Sequence, residues 1–206
     1  MIKLDEKFAA SVIIDGVLIP NLWDIKINLF PHAEKVLEQK NYMKVVDRIQ
    51  YYISETLENS ILLGPESFNL FSKGKVHFLP DEPFDHMLAI SLYTKVHAIL
   101  EDVFFIDSVQ VSSYQSSGIS HSHSVDTGDI NTLRDVALPG HEDYAEYWFR
   151  KECQWFTLNE EGLQLKTIPW EELDLGLDKK PGTVVNLNDF KPKLIKPEDD
   201  EDDTDT

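Results

Sequence analysis

The sequence has one cysteine and few glycines, and both scarcities limit its chemistry. Cys153 is the only cysteine in 206 residues, so no internal disulfide can form and a reducing, cytoplasmic location is expected. The nine glycines are scattered and form neither a phosphate-binding P-loop nor a Gly-x-Gly-x-x-Gly fingerprint. No Gly-x-Ser-x-Gly elbow is present either. The sequence therefore gives no indication of nucleotide binding or covalent catalysis.

Basic residues are also few. The 19 Lys and Arg stand against 37 Asp and Glu, which gives a net charge of −18. Residues 198–206 hold seven of these acids and no base, so the rest of the chain still carries −11. Binding to a nucleic-acid backbone needs clustered Lys and Arg, and anionic membranes attract basic segments. The charge opposes direct binding to either and permits a basic protein partner.

Long apolar runs are missing as well. Met1–Glu6 carries acids early and has no apolar core of the kind found in a signal peptide. The most apolar stretch, Phe84–Leu100, is interrupted by polar residues including Thr94 and Lys95. It is shorter than the roughly 20 residues that span a bilayer. Neither a secretory signal nor a membrane-spanning helix is therefore expected.

The same stretch predicts the centre of the fold. Asp81 is a suitable helix cap and Pro83 suits a first helical turn. Phe84–Leu100 is apolar on nearly all sides, which is typical of a buried helix. The β-branched and aromatic run at 103–111 follows directly and predicts a strand on the same core. We expect this helix and strand to be the central pair.

The N-terminal part predicts a meander followed by a helix. Asp15-Gly16 separates two apolar triplets and predicts a two-residue hairpin turn. Pro20-Asn21 is expected to turn the chain into an alternating strand at 22–29. Helical spacing then runs from Ala33 to Leu63, with a break possible at Lys40-Asn41.

The second half is richer in turns. Residues 112–132 are polar and small, which predicts a long loop or a strand that continues to about Ser122 as a solvent-facing edge. Residues 153–158 and 163–168 predict a second hairpin. A short helix is expected at 170–175 and a last strand at 183–187.

These patterns together predict an α+β fold. We expect a single domain over residues 1–190, with an N-terminal hairpin and meander, two main helices and a mixed or antiparallel sheet. Residues 191–206 are expected to form an extended linker and a disordered acidic tail, because a block of like charges repels itself.

The histidine-rich segment offers a candidate metal site. His121 and His123 are two residues apart, so on a strand they point the same way. Asp126 and His141 follow nearby. Two imidazoles with a carboxylate can bind zinc or iron. The alternative is that these are solvated histidines in a serine-rich loop, and the sequence favours that alternative.

Candidate partner-binding residues come from two regions. Aromatic residues crowd positions 144–156, where burial in the core is favoured over a protein interface. The acidic tail can engage or steer a basic partner. The predicted partner-binding residues are Tyr144, Tyr147, Trp148, Glu198, Asp199, Asp200, Glu201, Asp202 and Asp203.

Taken together, the sequence favours a non-enzymatic intracellular accessory or regulatory protein without a cofactor. It would act through protein–protein binding, and the expected partner is a basic protein of the kind that processes nucleic acids. A small metal-dependent enzyme built on residues 112–141, with one zinc or iron ion, is the alternative. A structural or assembly component is a third possibility, and the sequence does not indicate the oligomeric state.

Overall fold

The computed structural model describes residues 1–32, 39–64, 67, 73–101, 103–124, 144–173 and 175. The side chains of residues 39–41 and 144–146 are not part of this description. All described residues belong to one compact unit, Met1–Leu175. The strand predicted at 183–187 and the tail predicted at 191–206 lie outside the described residues.

The described unit is built from strands and two helices. The helices are α1 (Gln39–Tyr51), which continues into a π-helical turn (Tyr52–Leu57), and α2 (Asp85–Leu100). Short 3₁₀ helices cover Tyr144–Phe149 and Trp170–Glu172. The strands are β1 (Ile2–Ile14), β2 (Val17–Pro31), β3 (Ile61–Leu63), β4 (Gly74–Phe78), β5 (Phe104–Ser113), β6 (Ser120–Ser124), β7 (Cys153–Asn159) and β8 (Gly162–Ile168).

The eight strands form one mixed sheet in the order β6-β5-β2-β1-β3-β4-β7-β8. β3 runs parallel to both β1 and β4, and every other pair is antiparallel. The α+β class and the mixed sheet are therefore confirmed, although the unit is richer in strands than expected. β5 lies next to the edge strand β6, so its predicted central position is wrong.

The N-terminal hairpin is confirmed but is much longer than predicted. β1 and β2 pair without interruption from Ile2↔Leu29 to Ile14↔Val17 around Asp15-Gly16. The turn predicted at Pro20-Asn21 is wrong, because Pro20 pairs with Ser11 inside β2. The pairing of β2 with β5 begins only at Trp23. Among the described residues, one side of β2 therefore has no strand partner at Pro20, and the missing N–H of Pro20 is tolerated there.

The helix predicted over Ala33–Leu63 is shorter in the structure, and residues 33–38 are outside the described part of the chain. The helical backbone ends at Leu57, and Asn59 then adopts a left-handed conformation with φ of 56°. Ile61, Leu62 and Leu63 leave the helix and pair between β1 and β4. The prediction of helix for Ile61–Leu63 is wrong, because three consecutive apolar residues suit a buried strand as well as a helix.

The buried helix is confirmed, but its predicted cap is not. The residue before the first helical turn is Phe84, and α2 begins at Asp85. Asp81 Oδ1 accepts a hydrogen bond from the Glu82 amide (2.8 Å) instead of capping the helix. α2 buries polar side chains along with apolar ones, among them Ser91, Thr94 and Lys95. None of the helices in the described ranges is both long enough and apolar enough to cross a membrane.

The serine-rich segment forms a hairpin, so the long-loop prediction is wrong as far as residue 124. β5 ends at Ser113, residues 114–118 turn, and β6 returns antiparallel to β5. His121 pairs with Val111 and His123 with Val109, both of which are buried. The histidines therefore face α2 while the alternating serines face away. Residues 125–132 are outside the described residues.

β3 is the narrowest part of the sheet. It pairs over three residues with β1 and over three with β4. By contrast, β1 pairs with β2 over its whole length. The sheet thus consists of a larger antiparallel group (β6-β5-β2-β1) and a smaller one (β4-β7-β8), which β3 joins.

Candidate functional site

A pocket of about 340 Å³ opens where three chain segments meet. The β1–β2 hairpin contributes Val12, Ile14 and Asn21, the start of α2 contributes residues 83–86, and the β5–β6 hairpin contributes Ser113, Gln115, Ser116 and His121. The pairing of β2 with β5 brings the two hairpins together, because its end at Trp23↔Ser113 places Asn21 beside the turn that follows Ser113. The pocket therefore forms through pairing between strands that are distant in the sequence, and its lining residues do not make up a local sequence motif.

Asp85 fixes the start of α2 against the sheet. Its Oδ1 accepts a hydrogen bond from Trp23 Nε1 (3.0 Å), and its Oδ2 accepts one from the Ser113 backbone N–H (3.1 Å). Trp23 is fully buried and stacks on Phe8, with ring centroids 5.0 Å apart. The Asp85 carboxylate is thus held at the base of the pocket by two neutral donors.

Replacing Trp23 with Phe tests this anchor. The substitution keeps most of the buried ring and removes the N–H donor to Asp85. We expect the free energy of unfolding to fall by about 1 to 3 kcal/mol, the usual cost of leaving a buried polar group without its partner. Chemical denaturation measures the effect. Phe8→Leu, which changes the stacked ring and leaves the hydrogen bond in place, separates loss of packing from loss of the donor.

Three aromatic rings line one wall of the pocket. The Phe84 ring lies near parallel to the His86 imidazole, with a centroid distance of 6.1 Å and an interplanar angle of 16°. The His86 and His121 ring centroids are 5.9 Å apart. We call Phe84, His86 and His121 the aromatic wall.

His123 lies one step deeper on the same side of β6. Its ring meets the Tyr93 ring edge-on, with centroids 4.9 Å apart. Burial lowers the pKa of His123 below its ordinary value. Its Nε2 is buried and has no hydrogen-bond partner among the described residues. This histidine is a packed residue between strand and helix.

The segments around the pocket are acidic. Residues 12–21, 81–86 and 113–121 contain Asp15, Asp81, Glu82 and Asp85, and no Lys or Arg. Within the described part of the chain, Asp85 is hydrogen-bonded to N–H donors and forms no ion pair. The charge around the pocket therefore has the same sign as the whole chain. We call the pocket with these segments the acidic end of the sheet.

Apolar side chains surround the acidic end. Val17, which pairs with the pocket residue Ile14, is 57% exposed, Phe84 is 46% exposed and Ile119 is 62% exposed. The Ile119 amide donates to the carbonyl of the pocket residue Ser116 (3.0 Å). We call Val17, Phe84 and Ile119 the apolar rim. Exposed apolar groups beside a pocket are typical of an interaction surface.

Comparison with known proteins adds no relative. No protein-family model matches the chain, and no curated protein matches its sequence. The acidic end therefore has to be interpreted from its own geometry.

Of the four predicted metal ligands, only two are among the described residues. His121 and His123 lie on β6 and face the same side, whereas Asp126 and His141 are outside the described residues. Within the described ranges, no group of three or more His, Cys, Asp or Glu is placed to hold a metal ion. His121 borders the pocket and His123 packs on Tyr93. The metal hypothesis stays a prediction.

The predicted partner-binding aromatics are found in the core where they are described. Tyr147 and Trp148 are buried, and Trp148 Nε1 donates to the Phe78 carbonyl (2.8 Å). Neither ring is accessible to a partner in this conformation. The side chain of Tyr144 and the acidic residues 198–203 lie outside the described residues.

Tyr147 belongs to a buried polar network under β4 and β7. Tyr147 OH bonds to His77 Nδ1 and to Tyr52 OH (3.1 Å). His77 Nε2 donates to the Thr56 carbonyl (3.0 Å), and Thr56 Oγ1 shares a hydrogen bond with Cys153 Sγ (2.9 Å). Burial raises the pKa of the Cys153 thiol, which opposes formation of a reactive thiolate. The network therefore stabilises the fold and offers no reactive nucleophile at Cys153.

Lys95 lies in the same region and is fully buried. Its Nζ donates to the carbonyls of Tyr147 (3.4 Å), Arg150 (2.7 Å) and Glu152 (2.7 Å), and lies 5.3 Å from the ring centroids of Tyr52 and Tyr147. Burial lowers the pKa of Lys95 to about 7. The carbonyls and ring faces offset part of the cost of burying an ammonium group.

Sequence reasoning missed Phe84, Asp85 and His86 as site residues. They were assigned to a buried helix, and nothing local distinguishes them from other residues of its first turn. The one available signal was the acidic sequence Asp81-Glu82-Pro83 directly before them. Their role depends on hairpins that are distant in sequence.

Proposed function

We propose that the chain is a non-enzymatic accessory protein of the cytoplasm that binds a basic partner protein through the acidic end of its sheet. The observation that carries the proposal is the combination, at one place, of a pocket, an apolar rim and surrounding segments without Lys or Arg. A cytoplasmic location is supported by Cys153, a buried free thiol.

The arrangement meets the two needs of a protein interface. The apolar rim offers side chains whose burial stabilises a complex by about 25 cal/mol per Å² of apolar area. The acidic segments, together with the acids at 198–205, attract a basic surface over a distance and raise the association rate. Such attraction weakens with salt, since the screening length is about 8 Å at physiological ionic strength.

Affinity capture with matched variants tests the proposal. The full chain, immobilised, is exposed to an extract of its source cells, and the retained proteins are identified by mass spectrometry. We expect a protein of net positive charge, held less firmly as salt is raised. The double variant Phe84→Ser/Ile119→Ser should bind it about tenfold more weakly or worse, as loss of central interface contacts does.

Phe30→Ser/Phe105→Ser is the matched control. These two rings are 42% and 58% exposed and pair across β2 and β5, remote from the pocket lining. The control should retain the partner with unchanged affinity. Loss of the partner in the control but not in the rim variant would place the interface elsewhere and refute the proposal. So would a captured partner that is acidic.

A further inference from the structure

The aromatic wall is shaped for a flat cationic group. Phe84, His86 and His121 form a continuous series of rings, and the first two are near parallel. Phe84 lines the pocket and is 46% exposed, so part of its ring is open to a ligand. An aromatic face attracts a cation within about 6 Å of its centroid, and the interaction contributes roughly 0.5 to 2 kcal/mol.

Asp85 supplies the opposite charge beside this wall. An ionised carboxylate accepts about four hydrogen bonds, and the structure uses two of them, from Trp23 and Ser113. Because these two bonds already fix the Asp85 carboxylate, binding of a ligand costs little further side-chain entropy. The remaining acceptor sites suit the N–H groups of a guanidinium, which bind carboxylates in pairs.

The N-terminus of α2 opposes the binding of a cation, because the helix dipole is positive there, whereas the acidic side chains favour it. The N-terminus of a helix carries the equivalent of about half a positive charge and favours anions. Asp85 alone places a full negative charge in the first turn of α2, and Asp81 and Glu82 precede it. The acids therefore outweigh the helix dipole, and the pocket favours a cation.

We infer that the pocket binds an arginine side chain of the partner, with its guanidinium stacked on the aromatic wall and paired with Asp85. This inference rests on the function proposed above and specifies its anchor. Arginine fits better than lysine because its planar group stacks on rings and presents paired donors, whereas an ammonium is a compact and strongly hydrated charge. Pro83 and Ile14 at the pocket suit its aliphatic stem.

Nuclear magnetic resonance on the full chain tests the inference with N-acetyl-arginine amide as the probe. The ring signals of His86 and His121 should shift at millimolar concentrations. N-acetyl-citrulline amide has nearly the same shape without the charge and should bind at least tenfold more weakly. Phe84→Leu should weaken arginine binding several-fold, and Asp85→Asn at least tenfold. An amide spectrum otherwise unchanged from the parent shows that a variant is folded, and Phe84→Leu carries the test if Asp85→Asn is not.

Several outcomes would overturn the inference. Equal binding of citrulline would show that charge is not recognised, and equal binding of N-acetyl-lysine amide would exclude recognition of a planar group. Shifts caused by inorganic phosphate but not by arginine would indicate an anion site at the helix start. If arginine fails while partner capture still depends on Phe84 and Ile119, the proposed function stands and this anchor is wrong.

Discussion

Acidification from pH 6.5 to pH 3 is expected to lower the free energy of unfolding by about 4 kcal/mol through His77 alone. Burial lowers the pKa of this histidine from an ordinary 6.5 to about 3, and each pKa unit corresponds to about 1.4 kcal/mol. Over this pH range the unfolded chain binds a proton that the folded chain does not. The His77 contribution to stability is therefore fully present above pH 6.5 and is lost progressively as the pH falls from 6.5 to the folded pKa of about 3.

The hydrogen bonds of His77 explain why protonation is unfavourable. Nε2 donates to the Thr56 carbonyl, so Nδ1 is the acceptor for the Tyr147 hydroxyl. A proton on Nδ1 removes that acceptor and places a charge in a fully buried position. Tyr147 OH would also have to reorient relative to Tyr52 OH. The network thus stabilises one neutral tautomer of His77.

His77→Gln isolates this contribution. Glutamine carries a carbonyl acceptor and an amide donor group in place of the acceptor and donor nitrogens of neutral histidine, and it does not titrate. Urea denaturation at several pH values should show a flatter acid dependence in the variant than in the parent. His97→Gln changes an exposed histidine of α2 and should reproduce the parent's slope. Equal acid dependence in His77→Gln and the parent would show that His77 is not the source.

Lys95→Met is expected to lower the free energy of unfolding by about 2 to 4 kcal/mol, since it leaves buried polar groups without their partner. Methionine fills much of the same volume but cannot donate to the carbonyls of Tyr147, Arg150 and Glu152. Removing one side of a buried polar interaction leaves the other side desolvated, which costs more than the interaction contributed. The loss should be largest around the 3₁₀ helix Tyr144–Phe149, which these bonds tie to α2.

Lys75→Met is the matched control for this substitution. Lys75 also donates to a backbone carbonyl, that of Glu55 (2.8 Å), but it is only half-buried, whereas Lys95 is fully buried. Thermal unfolding of the control should match the parent within about 1 kcal/mol. A Lys95→Met protein as stable as the parent would mean that apolar packing replaces the lysine, as happens for some buried charges.

Elements with strong local patterns could be predicted from the sequence. The Asp15-Gly16 hairpin, the alternation from Trp23 to Leu29 and the buried α2 all follow from local residue order. The failures occurred where local order suits two structures. Ile61–Leu63 continued a helical spacing and yet forms β3, since pairing between two strands decided its conformation.

The β5–β6 hairpin shows a different limit. The polar and small residues at 112–132 predict a long loop or a solvent-facing edge strand that continues to about Ser122. In the structure both histidines face α2, His123 buried opposite Val109 and His121 half-buried opposite Val111, and the serines face outward. Burial of His123 depends on Tyr93 of α2, and no local pattern reveals such a neighbour.

The candidate site was less predictable than the fold. Residue counts predict an acidic chain, but nothing in the local order of residues indicates that Asp85, His86 and His121 meet. Asp85 and Ser113 are far apart in the chain and are brought together by β2 and β5. The proposed site therefore depends on tertiary pairing, which residue types and spacing do not encode.

The narrowness of β3 has a mechanical consequence. Because only three residue pairs join it to each neighbour, backbone bonding transmits little force between the two groups of strands. Side-chain bonds add to the backbone pairing: Thr56 of the π-helical turn, and Tyr52 through Tyr147, are linked to His77 of β4 and Cys153 of β7. Glu58, directly after that turn, accepts a hydrogen bond at Oε2 from the Ala9 amide of β1 (2.7 Å). The polar network and this bond together connect the two groups of strands and stiffen the sheet where its backbone pairing is shortest.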